Sequence, residues 1–142
     1  MNVLVDTSVW SLAFRRKPNA LSKTEASIVK ELSELIEEGR AQMAGVIRQE
    51  LLSGVKTDEQ FEKLKKNLAA FYDVQLVTAD FEEAAKASNQ CRRRGIATSV
   101  VDMLVCATAL RRGWSVFTTD PDFQNYSKVL AFKQHSLRNQ PT

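Results

Sequence analysis

Short β-branched or apolar runs alternate with longer stretches of helical spacing, and this alternation limits the chain to an α/β architecture. Val3-Leu4-Val5 opens the pattern as a strand and stops at Asp6. Ser22-Lys23-Thr24-Glu25 has capping-box spacing; Ile28, Leu32, Leu35 and Ile36 then mark one helix face, which Gly39 ends. Gln42-Met43-Ala44 is a weak, polar second strand, and Val46 to Ser53 a helix closed by Gly54. Thr57 to Gln60 repeats the capping spacing ahead of Phe61, Leu64, Leu68 and Phe71. Val74 to Val77 reads as strand three, and Thr78 starts a helix that runs to Arg94. A second helix, from Thr98 or Ser99 to Gly113, follows without an intervening strand. Ser115 to Thr119 and Val129 to Phe132 read as strands four and five. The expected product is a three-layer α/β/α domain whose five-stranded sheet is mainly parallel. In such a sheet the ligand site lies at the carboxyl ends of the strands, where strand order reverses.

The 142 residues suit one domain over 1–142, with a core of about 3–132 and a frayed tail of about 136–142. The apolar runs fall short of the roughly 18 residues of a membrane span, and MNVLVDTS lacks the marks of a signal peptide. A cytoplasmic protein is expected, with Cys91 and Cys106 reduced and buried. The formal net charge is only +3, but the cations come in clusters: Arg15-Arg16-Lys17, Lys65-Lys66, Arg92-Arg93-Arg94 and Arg111-Arg112. Such runs suit a polyanion. Two of them also precede a glycine, Gly95 or Gly113, where they serve equally well as helix C-terminal charges.

Several acids stand where an α/β sheet collects function. Asp6 and Asp120 end strands one and four, which are neighbours at the switch point if the order is 3-2-1-4-5. Glu50 follows Ile47 by three residues and faces partly inward on its helix. Asp102 is the one acid in the apolar run SVVDMLVCATAL, where Val105, Cys106 and Ala109 share its face. Each acid alone has a plain structural role: Asp6 as a cap on Thr7-Ser8, Glu50 as an exposed helix acid, Asp102 as part of a Ser99 capping box, and Asp120-Pro121-Asp122 as a turn. Gathered at one sheet edge they would repel each other unless a cation neutralised them. Carboxylate oxygens select Mg²⁺ or Mn²⁺ rather than zinc. His135, near the C-terminus, reads as a surface residue.

VDTSVW at 5–10, RQELLSG at 48–54, VDMLVCATAL at 101–110 and TTDPDF at 118–123 resemble, in order, the motifs of the PIN-domain family, and within it the VapC-type toxins of VapBC toxin–antitoxin pairs. The resemblance runs from Val3 to about Phe132. It implies a PIN-like sheet of order 3-2-1-4-5. It also implies that Asp6, Glu50, Asp102 and Asp120 form the catalytic acidic quartet, with Asp6, Asp102 and Asp120 as metal ligands. Asp122, Thr118 and Ser8 match supporting positions. The implied activity is Mg²⁺-dependent endoribonuclease cleavage, with Mn²⁺ as a substitute, inhibiting translation and growth. The implied partners are a VapB-type antitoxin, a tRNA or rRNA substrate and a second copy in a homodimer, with no membrane. With five site acids set aside, 12 of the 17 acids face 20 Lys and Arg, so the remaining surface is distinctly basic.

Two other readings compete. A phosphoryl-transfer domain on a similar sheet also uses an aspartate after strand one, but a haloacid-dehalogenase-like enzyme needs a second aspartate where Ser8 stands, and a receiver needs an acidic pair before its phosphoacceptor. A non-catalytic PIN fold that binds RNA or protein is the other, and the intact acids argue against it.

Overall fold

The computed structural model describes residues 1–138; of the tail expected over 136–142, residues 139–142 lie outside the described residues. Four parallel strands form one sheet: β1 (Val3–Val5), β2 (Ala41–Gln42), β3 (Ser115–Phe117) and β4 (Lys133–Gln134), in the order β2-β1-β3-β4. The helices are α1 (Thr7–Phe14), α2 (Lys23–Glu37), α3 (Gly45–Leu52), α4 (Asp58–Leu68), α5 (Thr78–Arg93), α6 (Val100–Arg112) and α7 (Asp122–Tyr126), with a 3₁₀ turn at Pro18–Ala20. Among the described residues no helix is long and apolar enough to cross a membrane.

β1 is central and wholly buried, as a parallel strand covered on both faces must be. Each of its Val and Leu side chains contributes about 1.5–3 kcal/mol of burial. The chain leaves β1 toward β2 on one side and later returns as β3 on the other, so the switch point falls between β1 and β3. Asp6 N–H donates to the Phe117 carbonyl at 2.9 Å, tying the two strand ends together there.

The sheet has four strands where the sequence predicts five. Its order agrees with that expected for the strands that are present. Val74–Val77 is not a strand, although Asp73 makes a single parallel bridge to Met43 on the expected flank of β2. Val74 N–H donates to the Met43 carbonyl at 2.9 Å, but beyond that bond the backbone finds side-chain partners instead of a ladder. Arg112 donates to the Gln75 carbonyl at 3.0 Å, and the Val77 N–H donates to Asp80 at 2.9 Å. The last strand is also displaced, to Lys133–Gln134. Leu130 and Phe132, read as strand from their hydrophobicity, are core side chains on the turn that leaves α7.

α1 was not expected from its sequence, TSVWSLAF, which is rich in weak helix formers and has no side-chain cap. Tertiary packing makes it: Val9, Trp10 and Leu12 are buried, and Trp10 Nε1 donates to the Val5 carbonyl at 3.0 Å. α2 and α4 begin where the sequence predicts, with Ser22 accepting from Glu25 N–H and Thr57 from Gln60 N–H. Gly113, at φ +69°, ends α6 in the left-handed region and turns the chain into β3. Both cysteines are free and buried.

Candidate metal centre

The carboxyl edge between β1 and β3 is built from three segments. Asp6 follows β1 directly. It is buried, and its Oδ2 accepts from Ser8 Oγ at 2.9 Å and Thr118 Oγ1 at 2.8 Å. Both hydroxyls are held in turn: Ser8 Oγ accepts from Thr119 N–H and Thr118 Oγ1 from Asp120 N–H, each at 3.0 Å. A hydroxyl has one proton to donate, so accepting a backbone N–H aims that proton at Asp6. These bonds orient the Asp6 side chain.

Asp120 and Asp122 lie just beyond β3. Asp120 Oδ1 accepts from Asp122 N–H at 2.9 Å, and this turn leads into α7. Asp102 stands in the first turn of α6, whose N-cap Ser99 accepts from Asp102 N–H at 3.0 Å. Its carboxylate turns across to α7, where Tyr126 Oη donates to Oδ2 at 2.7 Å. Asp102, Asp120 and Asp122 each offer an oxygen, and the three oxygens lie within 4.8 Å of one another.

The electrostatics are those of a site short of positive charge. Burial pushes the Asp102 carboxyl above the usual carboxylate range. Tyr126 opposes this by hydrogen bonding, while the charges of Asp6 and Asp120 add to it. Burial also raises the Tyr126 phenol, with the Asp102 bond adding to it, so Tyr126 stays a donor. Among the described residues none of Asp6, Asp102, Asp120 or Asp122 is in an ion pair. Converging carboxylates without a Lys or Arg partner form a hard-oxygen donor set that fits a cation of the Mg²⁺ or Mn²⁺ type.

Glu50 is placed differently. It is exposed rather than partly inward, and, like Asp6, it is not among the carboxylates that approach within 4.8 Å. Thr7 Oγ1 donates to its Oε1 at 2.6 Å, which ties Glu50 on α3 to the residue after Asp6. The pair borders a cleft of about 390 Å³ that Ser53 and Val101 also line.

Tyr126 and Thr7 escaped sequence reasoning. Asp122-Phe123-Gln124-Asn125-Tyr126 passes for a turn, but Tyr126 follows Asp122 by four residues, a helical spacing that was the available signal. His135 is half-buried rather than a surface residue: its Nε2 lies 2.8 Å from Glu31, its ring meets Phe117 edge-on at 5.1 Å, and it lines a cleft of about 320 Å³ with Thr118 and Asp120. Arg138 closes the same cluster by donating to Glu31 and Glu38.

The family model described as "PIN domain" matches residues 3–129. The VapC ribonuclease Mb1587 of Mycobacterium bovis is 29% identical over 138 residues, spanning 96% of this chain and 99% of the relative. The fold is shared with FitAcB from Neisseria gonorrhoeae (TM-score 0.72, 19% identity, 94% of this chain and 96% of that one). It is shared equally with VapBC2 from Rickettsia felis, solved bound to a DNA fragment from its promoter (TM-score 0.72, 13% identity, 95% and 98%).

Proposed function

The chain belongs to the PIN-domain family, and from that premise we propose that it is the VapC-type toxin of a VapBC pair, a metal-dependent endoribonuclease that hydrolyses RNA phosphodiester bonds and so inhibits translation and growth. The observation that carries this reading is the convergence of Asp102, Asp120 and Asp122 within 4.8 Å, beside Asp6, with no cationic side chain among the described residues paired to them.

Asp6, Asp102 and Asp120 are the residues that would hold Mg²⁺, or Mn²⁺ in its place, with Asp122 at the exposed margin. A divalent ion at such a site supplies charge for the scissile phosphate, an activated water and stabilisation of the leaving 3′-oxygen. The chain's own contribution is preorganisation. Ser8 and Thr118 fix Asp6, Tyr126 fixes Asp102, and the Asp120–Asp122 turn fixes Asp120. Thr7 holds Glu50 beside a cleft that Val101, the residue before Asp102, also lines. Single-stranded loops of tRNA or rRNA are the substrates that enter such an edge without unpairing a helix.

A VapB-type antitoxin as partner is supported by the Rickettsia felis VapBC2 assembly, which shares the fold. Pairing of two copies is supported by the apolar side chains of Phe81 and Val100, which are 53% and 86% exposed beside a cleft of about 500 Å³ between α5 and α6. Action in the cytoplasm follows from the RNA target.

Cleavage of single-stranded RNA by the purified protein in Mg²⁺ or Mn²⁺ tests the reading. Asp6→Asn and Asp102→Asn should each lower the rate by about 10³-fold or more, a transition-state loss of at least about 4 kcal/mol, while circular dichroism stays native. Undiminished cleavage by both folded variants overturns the assignment. A wild-type chain inert toward RNA, and harmless when expressed alone, favours the non-catalytic binding module.

A further inference from the structure

Four cation clusters stand out in the sequence, and the fold uses them unequally. Arg111 and Arg112 are committed to the buried Asp80, at 2.6 and 2.7 Å. Lys65-Lys66 lies in the last turn of α4, and Arg92-Arg93-Arg94 lies at the end of α5, where cations complement the helix dipole. Arg15-Arg16-Lys17 alone faces a concavity that other cations share. It follows α1 and lines a groove of about 530 Å³ whose opposite wall, from the α3–α4 loop and α4, carries Lys56 and Lys63. Among the described residues no acid lines this groove, and of the five cations only Arg16 is paired, with Glu25 at 3.0 Å.

The groove and the cleft at Thr7 and Glu50 are lined by residues that adjoin along the chain. The cleft at Thr7 and Glu50 extends to Ser53, and the groove begins at the next residue, Gly54. α1 connects the two as well. It starts at Thr7 beside Asp6 and ends at Phe14 beside Arg15, a span of about 12 Å at 1.5 Å per residue. Arginine and lysine side chains along a groove, open to solvent and without carboxylate partners, match the spaced charges of a sugar–phosphate backbone.

We infer that the groove between α1 and α4 holds the phosphate backbone of single-stranded RNA alongside the bond to be cut, with Arg15, Lys17, Lys56 and Lys63 as its phosphate contacts. This deepens the nuclease reading and rests on it for the identity of the polyanion. The groove positions the strand without reading its sequence, because its contacts are charges rather than base edges.

The test is fluorescence anisotropy with a labelled, mixed-sequence single-stranded oligoribonucleotide in EDTA, where binding is separated from cleavage. Lys17→Gln/Lys56→Gln/Lys63→Gln should weaken binding roughly 10- to 100-fold near 0.1 M salt and flatten the log–log salt slope by about two. All three side chains are exposed, so an unchanged melting temperature is expected. The control Arg92→Gln/Arg93→Gln/Arg94→Gln removes the same charge elsewhere and should change binding little. In Mg²⁺ the groove triple should raise KM with kcat nearly kept. Unchanged RNA affinity, or an equal loss in the control, overturns the inference, as does loss confined to capture of an acidic antitoxin segment. Groove-dependent binding by a chain that never cleaves RNA sinks the nuclease reading and leaves the groove standing. Cleavage with KM unchanged in the groove triple does the reverse.

Discussion

The phenol of Tyr126 donates a 2.7 Å hydrogen bond to Oδ2 of Asp102, joining the short helix after β3 to the first turn of the helix before it. Tyr126 is itself 2% exposed and packs edge-on against Phe123 at 5.2 Å, so its oxygen is aimed by the core. The phenol thus ties Asp102 to α7, the helix that also carries Asp122.

Tyr126→Phe keeps the ring and its packing and removes only that donor. Partners of this kind typically matter 10- to 100-fold in metal affinity or activity. We expect the Mn²⁺ or Mg²⁺ concentration for half-maximal RNA cleavage to rise by about that factor with the fold intact. A metal titration of cleavage rate measures it, and an unchanged midpoint would leave Tyr126 a packing residue.

Asp102 also predicts how metal-free stability depends on pH. Its folded carboxyl titrates above the ordinary carboxylate value, so between the two values the folded state holds more protons than the unfolded chain. Stability therefore falls as pH rises through that window, and the cost is fully present above it. Asp102→Asn removes the cost, so in EDTA at neutral pH it should melt above wild type. Addition of Mn²⁺ at about 100 times its Kd should stabilise wild type by about 2.7 kcal/mol, a rise of several degrees, and leave Asp102→Asn nearly unmoved. Thermal melts with and without metal decide this.

Asp80 has the opposite sign. Hydrogen bonding from Arg112 holds its carboxyl well below the usual range against the cost of burial, with further bonds from Val77 N–H and Arg111. Its stabilisation is fully present above the unfolded value near 3.8 and is lost as pH falls toward the folded one. Breaking a fully buried pair costs about 3–5 kcal/mol, but the Arg111 side chain is 34% exposed, so Asp80→Asn should cost roughly 2–3 kcal/mol at pH 7. In urea titrations the gap to wild type should narrow below about pH 4. A gap constant with pH would contradict the assignment of Asp80's charge to folding.

Local signals in the chain were legible because their partners are a few residues apart. Ser22 with Glu25 and Thr57 with Gln60 announce α2 and α4 through three-residue hydrogen bonds. Asp6 and Asp120 could be assigned to one sheet edge from their places after apolar runs, and the order of the motifs pointed to the family. Where an element itself rests on distant partners, pattern misled. The segment at 74–77 looks like a strand, but Arg112 and Asp80 occupy the backbone groups a ladder would use. α1 has poor intrinsic propensity and exists because Trp10 finds the Val5 carbonyl and a buried seat.

The amino-acid order alone thus decided which residues carry charge at strand ends and helix starts, since both are matters of local period and capping. Which carboxylates meet was settled only by folding. Thr118 reaches Asp6 across 112 residues and Tyr126 reaches Asp102 across 24, whereas Glu50 stops at Thr7 on the rim. Long-range contacts of that sort depend on sheet order and helix packing together, and a linear period of two or 3.6 residues holds no record of them.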